Sequence, residues 1–149
     1  AIPTWRADES LFRLMLRLRE CTHQEVLVQT RNEPDALLTH ASRGAIERFY
    51  DDEISLRHML GYPPYNTFLL LSWTGTEASA TETGKLVKER LGTVSAQFYT
   101  NPNSTESQSL RHALIRIDNS DSKFRERVLE IVRSLPPYVK AEIDPDRIV

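Results

Sequence analysis

The sequence predicts an α+β protein in which a helix, a strand and two helices precede a four-stranded antiparallel sheet. Three observations support this fold class. Apolar residues recur at helical spacing through most of the first 60 residues, Gly61 and the following prolines stop the last of these helices, and the remaining segments alternate as βαββαβ. Two strand-helix-strand units of this kind usually form one antiparallel sheet with both helices on one face.

Each segment of the first 60 residues has a recognisable local pattern. Residues 7–20 place four apolar side chains at i, i+3, i+4 and i+7, which predicts an amphipathic helix. Residues 26–28 form a short β-branched apolar run, which favours a buried strand ending at Thr30. Pro34 within residues 32–35 indicates a helix start, so helices are expected over 36–41 and 45–60.

The second half of the chain predicts the sheet. Strands are expected over residues 67–73, 94–100, 110–117 and 138–143, with helices over 77–91 and 122–135. Residues 101–108 lack apolar side chains and contain Pro102. They are therefore expected to form an exposed hairpin tip between the two central strands.

Length and composition are those of an ordinary folded protein. The chain has 149 residues, of which 40% are hydrophobic and 27% charged, enough for one core or two small ones. The longest apolar run, residues 68–71, is far shorter than the roughly 20 residues of a membrane span, and no signal segment is visible. We therefore expect a cytoplasmic protein that does not contact a membrane.

Several kinds of site are disfavoured by the residues present. The lone Cys21 cannot form an internal disulfide or a clustered-thiolate zinc site. The five glycines are widely separated and none belongs to a loop ending in Lys-Ser or Lys-Thr, so ATP and magnesium are not expected to bind here. A net charge of −2 argues against a grip on nucleic acid by bulk charge, so any DNA contact must be local.

Three segments in a fixed order resemble the PriA family of replication restart helicases, also called primosomal protein N-prime. They are Gln-Glu-Val-Leu-Val-Gln-Thr at 24–30, Ile-Glu-Arg-Phe-Tyr-Asp-Asp-Glu-Ile at 46–54 and Leu-Gly-Tyr-Pro-Pro-Tyr at 60–65. Residues 141–146 are similar to the family's closing strand and acidic-Pro terminus. The resemblance implies that residues 1–60 are the last part of the second helicase lobe and that residues 61–149 are the C-terminal domain. The opening at Ala1 then suggests a truncated chain.

The resemblance also implies what the parent protein does. Members of the family unwind DNA in the 3′ to 5′ direction with ATP and magnesium, and they carry a zinc-binding cysteine cluster that would lie upstream of this chain. The implied partners are branched or single-stranded DNA, single-stranded DNA-binding protein and other primosome proteins. The family's C-terminal domain is an α+β sandwich related to a ribosomal small-subunit protein.

One departure from the family concerns its arginine motif. PriA-like helicases have Gln-x-x-Gly-Arg-x-Gly-Arg shortly before the strand that residues 24–30 resemble, whereas residues 16–23 here lack both glycines. The family's role of nucleotide-contacting arginines therefore cannot be assigned to Arg17 and Arg19. The alternative interpretation is that these two residues belong to a solvated basic helix face. The departure also places the ATPase activity of the parent in question.

The candidate partner-binding residues are Lys123, Arg125 and Arg127, at the start of the last predicted helix. Lys123 and Arg127 are one turn apart on a common face. The resemblance implies that basic and polar residues early in this helix bind the acidic C-terminal peptide of single-stranded DNA-binding protein. A plain solvated helix face is the alternative.

The candidate nucleic-acid-binding residues are Trp73, Tyr99 and Arg111. Trp73 and Tyr99 end two predicted strands, where exposed rings would stack on unpaired bases, and core packing is the alternative. Arg111 and Arg116 point to opposite faces of one strand because their separation is odd, so only one of them can join a shared site.

No catalytic or metal-binding residues are predicted. The four histidines lie in different elements without a partner at a recognised catalytic spacing, so each is expected to be structural: His23, His40, His58 and His112. Asp51, Asp52 and Glu53 point in different directions from a helix and are interpreted as a solvated face. The rings of Tyr62 and Tyr65 flank two prolines and are expected to pack across a rigid connector.

Two main hypotheses follow from the sequence. In the first, the chain is the C-terminal region of a replication restart helicase that contributes DNA binding and docking of single-stranded DNA-binding protein. In the second, it is a non-enzymatic DNA or protein interaction module from a motor-inactive paralogue. A free-standing nucleic-acid-binding domain that resembles a ribosomal protein is a third possibility, which the pI of about 6.1 disfavours.

Overall fold

The computed structural model describes residues 5–31, 36–102, 104–105 and 107–146, and it confirms the predicted α+β class. In chain order the elements are α1 Ala7–Cys21, α2 Ala36–Arg43, α3 Ile46–Leu60, β1 Asn66–Gly75, α4 Glu77–Leu91, β2 Ala96–Thr100, β3 Ser109–Asp118, α5 Ser122–Arg133 and β4 Lys140–Ile143. The helix start predicted at residues 32–35 lies outside the described residues.

The four strands form one antiparallel sheet in the order β2-β3-β1-β4. Strands β1 and β3 pair along their whole length, from Asn66 with Asp118 to Gly75 with Ser109. The shorter β2 and β4 are the edges. The loop after β2 therefore joins an edge strand to a central strand, which corrects the prediction that it joins two central strands.

Both helices of the second half cover the same face of the sheet, as predicted. Side chains alternate between the two faces of a strand, so Leu69, Leu71 and Ile115 point to this side. They pack with Val87 of α4 and Val128 of α5 in the main apolar core.

The other face of the sheet is covered by residues from outside it. Phe68, Leu70 and Leu114 are buried beneath Trp5 and Tyr62. The Trp5 ring meets the Phe68 ring edge-on with ring centroids 6.1 Å apart. The Tyr62 ring also meets the Phe68 ring edge-on, with centroids 5.5 Å apart. The sheet thus lies between two apolar layers, the second of which is contributed by the N-terminal segment and the connector after α3.

The helices α1, α2 and α3 share a separate apolar cluster. Phe12, Leu37, Ala41 and Phe49 are buried together, and the rings of Phe12 and Phe49 stack at 3.9 Å. Gly61 then ends α3 in the left-handed conformation, with φ of 60°, where a residue with a Cβ would be strained.

The prediction of a strand ending at Thr30 is wrong. Residues 24–30 form no strand, and Val26, Leu27 and Val28 are 39%, 92% and 47% exposed. A strand needs hydrogen-bonding partners on a neighbouring strand, and none pairs with this segment in the described part of the chain. Val26 and Val28 instead line a cavity of about 440 Å³ with Met15 and Leu38.

Candidate functional site

An open cleft of about 400 Å³ lies between α4 and the β2 edge of the sheet, and all three predicted nucleic-acid-binding residues border it. We call it the α4–β2 cleft. Its lining includes Thr81, Gly84, Lys85 and Lys88 from α4, with Trp73, Phe98, Tyr99, Arg111 and His112 from the strands.

Helix α4 presents one face to this cleft. Thr81, Gly84, Lys85 and Lys88 have the spacing i, i+3, i+4, i+7, so they lie in one row along the helix. Thr76 begins the helix by accepting a hydrogen bond at Oγ1 from the backbone N–H of Ser79, at 3.3 Å. The buried residues of α4, such as Val87 and Leu91, point to the core instead.

Trp73 forms the floor of the cleft and is not an exposed stacking platform. Its side chain is 2% exposed, and its Nε1 donates a hydrogen bond to the Ala80 carbonyl oxygen at 2.8 Å. A Cβ at Gly84 would lie 3.4 Å from Trp73 Cζ2, so the helix approaches the indole closely here. The burial of Trp73 supports core packing, the other interpretation that the sequence offered for this residue.

Tyr99 borders the cleft, but its ring belongs to the opposite face of the sheet. It stacks on His112 with ring centroids 5.1 Å apart and contributes to the cluster beneath Trp5. Burial raises the pKa of Tyr99 to about 12, and burial also lowers the pKa of His112. His112 Nδ1 lies 2.9 Å from Ser72 Oγ, so the imidazole is held in place.

Arg111 is the predicted cation that does reach the cleft. Its Nη2 donates to a carboxylate oxygen of Glu77 in the first turn of α4. Its Nε is buried and finds no acceptor among the residues that the structure describes. The Nε–H is therefore a buried donor without an acceptor, which is costly.

Sequence reasoning missed Lys85 and Lys88, and it considered Phe98 only beside Tyr99. Strand alternation places Phe98 on the helix-facing side, where its ring lies 6.4 Å from that of Trp73 and is 42% exposed. Lys85 pairs with Glu82 at 2.9 Å, but both groups are exposed, so the pair is weak. The available signal was the basic pair at i, i+3 on the polar side of a helix.

The α5 residues Lys123, Arg125 and Arg127 are all exposed and lie apart from the α4–β2 cleft. Asp121 Oδ1 caps α5 by accepting from the backbone N–H of Phe124 at 2.9 Å. Phe124 and Val128 fix the inward side of the helix. The basic side chains are therefore directed away from the core, Lys123 and Arg127 on one flank of the helix and Arg125 on another. Arg127 Nη2 donates to Thr93 Oγ1 at 3.2 Å.

The acidic run after Tyr50 is only partly a solvated face. Asp52 Oδ2 lies 2.9 Å from His40 Nε2, at the surface. Glu53 is 9% exposed and accepts from Arg57 Nε at 2.7 Å, which corrects the prediction that all three carboxylates are solvated. Asp52 and Glu53 thus point to different partners, and no cluster of three or more metal-ligating side chains occurs in the described residues.

The remaining sequence candidates have structural surroundings. Arg17 and Arg19 are exposed, and the guanidinium of Arg19 lies against Gly44. The Tyr62 ring packs on Phe68 and the Tyr65 ring on His58, which confirms that the connector carries packing contacts. In the described part of the chain no helix has the length and apolar character to cross a membrane.

Comparison with known proteins gives a partial similarity to a replication protein. The chain is 26% identical over 73 residues to the replication restart protein PriA of Borreliella burgdorferi. The matched segment is 46% of this chain and 11% of that protein, so the chain spans a small part of the relative's length. No family model matches the chain.

Proposed function

We propose that this chain is the C-terminal part of a replication restart protein, where it contacts DNA and docks single-stranded DNA-binding protein. The similarity to a PriA protein supports this assignment, together with the resemblance of residues 24–65 and 141–146. In this proposal residues 1–60 close the second motor lobe and residues 61–149 form the C-terminal domain. Their separate apolar clusters support that division.

The proposal extends to the parent protein. The parent protein would unwind branched DNA in the 3′ to 5′ direction in the cytoplasm. ATP and magnesium would bind upstream of this chain, and an upstream cysteine cluster would hold zinc. Other primosome proteins would assemble on it. This chain would contribute anchoring and recruitment, because its sequence contains no phosphate-binding loop.

The single observation that carries the docking role is the exposure of Lys123 and Arg127 one turn apart on a common face of α5, with Arg125 also exposed on the same first turns. Two cations on one face at the start of a helix offer charge-assisted hydrogen bonds to a short acidic segment. The C-terminal peptide of single-stranded DNA-binding protein is acidic, so it fits this surface by charge.

A peptide titration tests the docking role. A fluorescent copy of the acidic peptide should bind the chain saturably, and Lys123→Ala/Arg127→Ala should bind roughly five- to tenfold more weakly because two surface ion pairs are lost. Raising the salt concentration should reduce the difference in affinity between the wild type and the double variant. Arg133→Ala is the matched control, since Arg133 is exposed on the same helix near its other end. Equal affinities for the wild type and the double variant would contradict the docking site.

The second candidate function is a non-enzymatic interaction module from a motor-inactive paralogue. The observation that favours it is the absence of both motif glycines from residues 16–23. The sequence upstream of this chain separates the two candidates: a Gly-x-x-x-x-Gly-Lys loop and DNA-stimulated ATP hydrolysis by the full-length protein support the helicase. The absence of both supports the module.

A further inference from the structure

We infer that the α4–β2 cleft holds one nucleotide of a single-stranded nucleic acid, with the base against Phe98 and a phosphate among Lys85, Lys88 and Arg111. The inference rests on the DNA contact proposed above and gives that contact a defined place. It differs from the sequence prediction in its residues, since Trp73 supports the site from beneath and the Tyr99 ring faces the other side of the sheet.

The aromatic wall of the cleft suits a base. Phe98 is 42% exposed although it belongs to a sheet strand, and the buried Trp73 ring meets it edge-on from behind. A ring held in this way presents a fixed apolar surface at the cleft. Bases stack on such rings without regard to sequence, because every base has a π-face.

The cationic wall suits a phosphate. Lys85 and Lys88 lie one turn apart on α4, and Arg111 approaches from β3 on the sheet side. Two carboxylates, Glu77 and Glu82, pair with Arg111 and Lys85 and reduce the local charge to a small positive value. The cleft thus keeps a small positive charge in a chain whose net charge is −2, as a local contact with nucleic acid requires.

The unsatisfied Nε of Arg111 is an independent reason to expect an anion. This donor is buried and lacks an acceptor in the described part of the chain. A phosphate in the cleft would accept from the guanidinium, and a small shift of the side chain would bring the buried Nε within reach of a phosphate oxygen. The ion pair with Glu77 would then compete with the phosphate for the same guanidinium.

A single strand fits these features better than a duplex or an acidic peptide. In a duplex the base faces are stacked on one another and cannot reach a protein ring. An acidic peptide would bring several carboxylates towards Glu77 and Glu82, which repel them. A nucleotide offers one phosphate and one flat ring, which match the two walls of the cleft.

The test is fluorescence anisotropy of a labelled oligothymidine with the full 149-residue chain at two salt concentrations. Phe98→Ala should weaken binding roughly tenfold through lost stacking. Lys88→Ala should weaken binding and make the negative slope of log affinity against log salt shallower by about 0.7, the value for one single-strand phosphate contact. Glu77→Gln should tighten binding, because it frees Arg111 for the phosphate. Arg133→Ala is the control that removes a surface charge far along α5.

Each outcome decides between named possibilities. If the wild type binds the oligonucleotide and all three cleft variants bind equally well, the cleft inference is overturned while the DNA contact stands. If the wild type does not bind, the DNA contact and the cleft inference both fail, and the peptide titration then tests the docking role separately. If the acidic peptide, rather than oligothymidine, depends on Phe98 and Lys88, the occupant is a peptide and the inference is wrong. Thermal unfolding of each variant checks that affinity losses are not losses of fold.

Discussion

At the scale of single residues, Arg57 on α3 connects more of the helical half than any sequence pattern indicated. Its Nε donates to Glu53 at 2.7 Å and its Nη2 to Glu9 of α1 at 3.1 Å, while its guanidinium lies over the Trp5 ring at 5.0 Å. All three ionic side chains are at most 14% exposed. Since partly buried charges depend on their partners, this arginine neutralises two carboxylates at once.

Replacing Arg57 by alanine should lower the free energy of unfolding by about 3 kcal/mol, because Glu53 would remain buried without a cation, whereas Glu9 would keep its ion pair with the exposed Arg13. Urea denaturation measures the change. The exposed Arg125→Ala is the control and should change it by no more than about 0.5 kcal/mol. An Arg57→Ala/Glu53→Ala double variant should recover part of the loss, whereas strictly additive losses would contradict the ionic explanation.

The same scale shows why some site residues escaped prediction. The i, i+4 spacing of Glu53 and Arg57 is visible in the sequence, but the third partner, Glu9, is 48 positions from Arg57. The burial of Trp73 depends on α4 crossing directly over it, which its place at a strand end does not indicate. The cationic face of the α4–β2 cleft is likewise assembled from two elements. Only the row of residues on α4 has a spacing that can be recognised in the sequence.

At the scale of elements, helix ends were predictable where the signals are local. Helix α4 runs from Glu77 to Leu91 as predicted, because Thr76 caps its start and Gly92 ends it with φ of 57°. The strand expected to end at Thr30 failed for the opposite reason. A strand is stable only when another strand pairs with it, and an apolar run cannot specify that partner.

Two glycines, one inside α4 and one directly after it, should respond in opposite directions to alanine. Gly84 is in the helix interior, and a Cβ there would touch Trp73 at ordinary contact distance, so Gly84→Ala should stabilise the protein by about 0.5–1 kcal/mol through helix propensity. Gly92 has positive φ, so Gly92→Ala should destabilise it by roughly 1–2 kcal/mol. Melting temperatures of the two variants measure both effects. Destabilisation by Gly84→Ala would show that the helix cannot accept even one methyl group beside Trp73.

At the scale of the whole molecule, the beginning and end of the described chain are joined across the second face of the sheet. Trp5 Nε1 donates to the Pro145 carbonyl oxygen at 2.9 Å, and Arg6 pairs with Asp146 at 2.7 Å. Asp144 is in turn hydrogen-bonded to the Phe68 backbone N–H through Oδ1 at 2.8 Å. Because Trp5 also packs on Phe68 and contacts Arg57, it connects the helical cluster to the sheet.

Removal of Trp5 should therefore uncouple the two halves. In the wild type, helix content by circular dichroism and tryptophan fluorescence should report one cooperative transition in urea, because Trp5 packs on the sheet and lies against Arg57 of α3. Trp5→Ala leaves Trp73 as the sole tryptophan, buried against α4, so fluorescence then reports on the sheet. We expect the loss of helix to begin at lower urea than the change in Trp73 fluorescence, with an overall loss of about 3–5 kcal/mol. Coincident transitions in Trp5→Ala would contradict the proposed division at residue 60, since the two clusters would then unfold as one unit without the residue that joins them.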